Sequence, residues 1–100
     1  MKIGPITYKV KTKKDLRNGD DKQLYGQYVA NNGCIYLDED IPDNRARSVL
    51  LHEIFHGMWA GQSLYKTEYA KHEEEIVSLM ATMMMQFLQD NKELVKELSK

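Results

Sequence analysis

The hydrophobic pattern of the chain changes period near residue 40. Up to that point it is strand-like. Ile3 to Lys11 (IGPITYKVK) reads as one extended segment, with Gly4-Pro5 giving it an irregular or edge-like start. Lys13 to Asp21 (KKDLRNGDD) is polar, and Asn18-Gly19 marks a turn. Leu24, Tyr25, Tyr28 and Val29 then precede Asn31-Asn32-Gly33, and Cys34, Ile35, Tyr36 and Leu37 follow it. Strand-forming runs on either side of Asn-Gly predict a hairpin, because these residues tolerate the left-handed backbone of tight turns. A small sheet of three strands is expected from this half.

Beyond Asp40 the period is helical. Asp40, Pro42, Asp43 and Asn44 supply helix-start chemistry, and Arg45 to Ala60 runs uninterrupted until Gly61 and Ser63 break it. A second long helix is predicted from about Thr67 to Asp90. Ser78, Thr82, Gln86 and Gln89 form a polar stripe on it, beside a wide apolar arc that includes Ile76, Val77, Met80, Met83, Met84 and Phe87. The helical spacing of the methionines predicts core packing rather than a soft metal site or a binding groove. Asp90 followed by Glu93 resembles a capping box opening a short helix, Asn91 to Leu98. Without an internal repeat or a linker, residues 1–100 read as one α+β domain. Its small antiparallel or mixed three-stranded sheet packs on two main helices and a short C-terminal one.

Composition adds bounds. At 100 residues, 42% hydrophobic and 29% charged, the chain is globular in type. A chain of this length buries only about 60–65% of its unfolded surface, so a metal or a partner would add welcome stability. Its net charge of -1 gives no global case for nucleic-acid or membrane binding. The early basic residues Lys2, Lys9, Lys11, Lys13, Lys14 and Arg17 read as a solvated face. Cys34 is the single cysteine, which excludes an internal disulfide and suits a small core residue. The N-terminus lacks a signal-peptide apolar region, and no window approaches the roughly 20 apolar residues of a membrane span, so a cytoplasmic location is expected.

Candidate chemistry concentrates in residues 50–59, LLHEIFHGMW. Positions four apart share a helix face, so His52 and His56 can present two imidazole nitrogens to one ion. Glu53 lies about 100° further around the helix, placed to reach a metal-bound water without ligating the metal. Burying these three among Leu50, Leu51, Ile54, Phe55, Met58 and Trp59 costs several kcal/mol unless they are paired, and zinc would satisfy all three. Two protein ligands rarely suffice, and Tyr69-Ala70-Lys71-His72-Glu73-Glu74-Glu75 holds the candidates for a third. On a helical wheel Glu73 is nearest the centre of the apolar arc, Glu74 nearer its rim and Glu75 in the polar sector. That order favours Glu73 slightly, leaves His72 open and argues against Glu75.

The combination LLHEIFHGMW, then EEEIVSLMA, then FLQDNKELVKEL resembles the small phage- and prophage-associated relatives of the ImmA/IrrE-type zinc metallopeptidases. The resemblance implies a minimal zincin-like fold, with Zn2+ held by the histidine pair and a glutamate that opens the next helix. In such proteins a small or apolar residue lies seven positions after that glutamate. This matches Glu74 with Ala81, and leaves Glu73 as the alternative ligand. The position four after the ligand, often acidic or amide, is Ser78 here. What the resemblance implies is a metallopeptidase acting on a protein or peptide, with Glu53 activating the zinc-bound water. A non-catalytic, zinc-stabilised binding or regulatory protein of phage or prophage origin is the alternative. Gly33 to Leu37 is expected to offer an exposed edge for an extended substrate. Tyr36, Tyr65, Tyr69 and His72 stay open as oxyanion helpers, and no oligomeric state is predicted.

Overall fold

The computed structural model describes the backbone of all 100 residues and every side chain except that of Tyr65. The expected hairpin forms, with β4 (Gly26–Val29) and β5 (Cys34–Asp38) antiparallel and Tyr28 opposite Ile35. Gly33 closes the turn at φ 64°, a left-handed conformation that glycine adopts without steric cost. β3 (Lys9–Lys13) joins the other side of β5 in parallel, Lys9 opposite Cys34, giving the order β3-β5-β4. β5 is therefore the central strand. The exposed edge expected at Gly33 to Leu37 does not exist, and the free edges belong to β3 and β4.

The single segment expected over residues 3–11 is broken. β1 (Lys2–Ile3) and β2 (Ile6–Thr7) fold back on each other as a separate two-stranded sheet, because Gly4 turns the chain at φ 61°. Lys9, Lys11 and Lys13 of β3 are exposed on a sheet edge, where lysines discourage pairing with another chain. The expected turn at Asn18-Gly19 also forms, its Asn18 side chain accepting the Asp20 and Lys22 amides at 2.8 and 3.0 Å.

Helix α1 (Asp43–Gly61) covers the predicted Arg45–Ala60 stretch. The second helix starts later than predicted. Thr67 is extended and its side chain accepts the Tyr69 amide, so the chain first makes a 3-10 turn over Glu68–His72; α2 then spans Glu73–Asp90. The capping box expected at Asp90/Glu93 is absent. Asn91 precedes α3 (Lys92–Leu98) without a capping bond, and its amide donates to the Phe87 carbonyl at 3.0 Å instead. The α+β architecture is thus a mixed three-stranded sheet, a two-stranded sheet and three helices. No helix among the described residues is long and apolar enough to cross a membrane.

The core lies between the sheets and α1. Ile3, Tyr8, Ile35 and Leu37 form its buried centre, with Tyr28, Val49, Leu50 and Ile54 packed against them. Cys34 is buried there, as its apolar context predicts. Asp38 is buried too, and its Oδ1 accepts the Leu16 amide at 3.0 Å, which ties the long β3–β4 connection to the sheet. α2 packs on α1 through Val77 and Ala81, its only fully buried residues. The core packing expected of its methionines is therefore only partial: Met80 and Met83 remain 41% and 60% exposed. Periodicity identified the apolar arc, but the domain is too small to cover all of it.

α1 approaches β4 closely because position 26 is glycine. A Cβ there would stand 2.6 Å from Val49 Cγ1 and 3.1 Å from Glu53 Cγ. Gly26→Ala is expected to cost about 1–3 kcal/mol by forcing the helix off the strand. In a chain of this size that lowers Tm by about 5–20 °C. Thermal denaturation checks it, and Val49→Ala in the same chain should recover much of the loss.

Candidate metal centre

α1 presents His52 and His56 one turn apart on the face turned toward the start of α2. Their rings meet edge to face with centroids 4.9 Å apart, and their Nε2 atoms lie 3.2 Å from each other. The 3-10 turn at Glu68–His72 delivers the chain so that Glu74 reaches both histidines. One carboxylate oxygen is 2.9 Å from His52 Nε2 and the other 2.9 Å from His56 Nε2. His52, His56 and Glu74 form a group that could hold a metal ion. Ligand atoms of a tetrahedral site with bonds of 2.0–2.1 Å stand about 3.3 Å apart, close to the spacings found here. Two ring nitrogens and one carboxylate also make the donor set of catalytic zinc sites, whose fourth position stays open.

Glu73 has a different place. Its Oε2 lies 2.6 Å from His56 Nδ1, on the far side of the ring from Glu74. A proton held on Nδ1 by that carboxylate leaves the Nε2 lone pair directed at the site and makes the imidazole a stronger donor. Glu73 thus orients His56 while Glu74 converges with both histidines. Ser78, one turn beyond Glu74, donates to its Oε1 at 3.3 Å, so this position contacts the carboxylate. His72 and Glu75 are not brought to the group; they lie 3.8 Å from each other on the outer side of the helix start. Glu73→Ala is expected to weaken metal affinity about 10–100-fold, with Glu73→Gln closer to the parent because its amide oxygen still accepts from Nδ1. Competition against a chromogenic chelator measures both.

Glu53 points from α1 toward β4 and is only 9% exposed. Its pKa is raised, chiefly because burial disfavours the charged form. His56 and His52 pull it down, Glu74 pushes it up, and the Tyr28 backbone amide, hydrogen-bonded to the carboxylate, pulls it down. Tyr28 lines the same recess of about 470 Å³ as Glu53, both histidines, Glu73 and Glu74. Its hydroxyl pairs with that of Tyr8 at 2.8 Å, and its pKa is pushed up to about 12, first by burial and then by that bond. The recess adjoins a larger open cleft of about 780 Å³. The cleft runs from His52, Glu53 and Glu74 between Gln23–Gly26 and α2, past Ser78, Thr82, Gln86 and Gln89. The polar stripe predicted on the second helix is therefore the wall of this cleft.

Among the oxyanion candidates, Tyr36 accepts a bond from Asn32 at the hairpin turn, and neither Tyr36, Tyr69 nor His72 lines the cleft or the recess. The side chain of Tyr65 lies outside the described residues. Tyr28, Gly26 and the orienting role of Glu73 were not anticipated. The Gly in the first hairpin strand was the available signal for the close strand–helix contact. Compared with protein-family models, curated proteins and solved structures, the chain shows no significant match to any.

Proposed function

We propose that the chain is a zinc-dependent peptidase that acts on a protein segment bound in extended form. The observation that carries this reading is the convergence of His52 Nε2, His56 Nε2 and the Glu74 carboxylate beside a buried Glu53, at the head of an open cleft. Two imidazoles with one carboxylate favour zinc over magnesium or calcium, which prefer all-oxygen sites. The resemblance of LLHEIFHGMW and EEEIVSLMA to the ImmA/IrrE-type metallopeptidases points the same way. Zinc held there would supply a Lewis acid to polarise a carbonyl and acidify water.

The protein groups do the rest. His52, His56 and Glu74 would hold the ion, and Glu73 would keep His56 in the required tautomer. Glu53 takes the proton of the attacking water on its carboxylate and passes it to the departing amine, a task suited to a raised carboxyl pKa. Tyr28 stays protonated, and when Tyr8 donates within their pair the Tyr28 hydrogen is free for a developing oxyanion. The free edge of β4, rather than β5, is the strand beside the site on which an extended peptide could pair.

A second reading rests on the way this group bridges two helices. His52 and His56 come from α1 while Glu73 and Glu74 open α2, so a bound ion would staple the helices together even without chemistry. A zinc-stabilised binding or regulatory protein would look the same. Cleavage of an unfolded protein substrate by the zinc-loaded chain, measured beside Glu53→Gln with matched metal content, separates the two. Cleavage by the parent alone supports the peptidase; no cleavage by either, at one zinc per chain, leaves the staple.

A further inference from the structure

α2 has three faces, and only two of them are accounted for. Val77 and Ala81 pack on α1, and Ser78, Thr82, Gln86 and Gln89 face the cleft. The third face carries Leu79, Met80, Met83 and Phe87 within about 100° of arc. These four are 59%, 41%, 60% and 40% exposed. Between Glu75 and Asp90 the helix bears no charged side chain. Scattered apolar residues on a surface need no explanation, but an uncharged stripe of this extent on one helix marks an interface.

We propose that this stripe is a homodimer interface, in which α2 of one chain packs antiparallel on α2 of a second copy about a two-fold axis near Met83. The stripe is complementary to itself in that register. Met83 meets its own copy, and Leu79 and Phe87, four positions to either side, meet each other twice. Such reciprocity is what a two-fold interface requires. The area is also of the right order. With about 200 Å² for a fully exposed large apolar side chain, the four residues expose roughly 400 Å² per chain. With apolar atoms supplying about 60% of an interface, that corresponds to about 650 Å² per partner, the lower end of standard-size interfaces. The cleft runs along the neighbouring side of α2 and meets the stripe at Gln86, and the dimer does not depend on the chemistry of the metal group.

Sedimentation equilibrium of the full chain at micromolar concentrations tests this. A species of twice the 11.7 kDa chain mass is expected. Met83→Glu and Leu79→Glu should each return it to the monomer mass with an unchanged far-ultraviolet circular dichroism spectrum, since both side chains are more than half exposed. Should a glutamate variant fail to fold, cross-linking decides. Met83→Cys should form a covalent dimer on mild oxidation, whereas Gln89→Cys, on the cleft side, should not. A monomeric parent chain overturns the proposal, as does a dimer that survives both glutamate substitutions, or a parent monomer whose stripe binds lipid vesicles instead.

Discussion

Replacing His56 with alanine is expected to weaken zinc binding about 10²–10³-fold. Structural zinc sites with four ligands bind with about 10–16 kcal/mol, so one ligand is worth about 3–4 kcal/mol. His56 is the member of the group with most at stake, since its Nε2 lies 2.9 Å from Glu74 and 3.2 Å from His52 while its Nδ1 is held by Glu73. Without it only His52 and Glu74 remain to converge, and Glu73 loses the ring it orients. The loss also appears in stability. An ion at 100 times its dissociation constant stabilises the fold by about 2.7 kcal/mol, which for a chain this short raises Tm by about 10–20 °C. That increment should vanish in His56→Ala. Titration with zinc and thermal melts, each with and without chelator, give both readouts. Affinity within threefold of the parent would remove His56 from the site.

The site was legible where it depends on local periodicity and obscure where it depends on how separate segments meet. His52 and His56 had to share a face once α1 formed, because four residues make nearly one turn. Glu73 and Glu74 could not be told apart on a wheel. The wheel ranks positions by closeness to the apolar arc, yet Glu74, which reaches both histidines, is among the more exposed side chains of the helix start. What aims it is the 3-10 turn at Glu68–His72, set by the Thr67 cap, and that rotation is invisible to a continuous helical pattern. The sheet shows the same division. The β4–β5 hairpin is a local feature written in Asn32-Gly33, whereas β3 pairs with β5 in parallel across residues 14–33, a contact no local signal announces. That non-local pairing is why β5 became the centre of the sheet and β4 the edge beside the metal group. The apolar arc of α2 was also read correctly as an arc. Whether an arc meets its own domain or a second chain is a question of available area, which sequence spacing does not contain.

Glu53→Gln should leave zinc content unchanged and lower the rate of peptide cleavage by about 10²–10⁴-fold, the usual worth of a positioned general base. Metal is retained because the carboxylate is not part of the converging group, and glutamine fills the same space against Gly26 and Val49. The same substitution has an opposite effect on the stability of the metal-free protein, which distinguishes a base from a structural residue. The Glu53 pKa is raised above its ordinary value of 4.5, chiefly by burial. The folded chain therefore binds this proton more tightly than the unfolded chain does, and stability falls as pH rises from the unfolded pKa through the folded one. Below that window the carboxyl is neutral in both states and carries no such penalty. Metal-free Glu53→Gln should thus melt higher than the metal-free parent at about pH 8, with the gap closing toward about pH 4. Lower activity together with a higher metal-free Tm is the pattern expected of a group buried for its chemistry at the expense of the fold. A variant that loses metal along with activity would make Glu53 a support of the site, and one that still cleaves at the parent rate would assign the base to another residue.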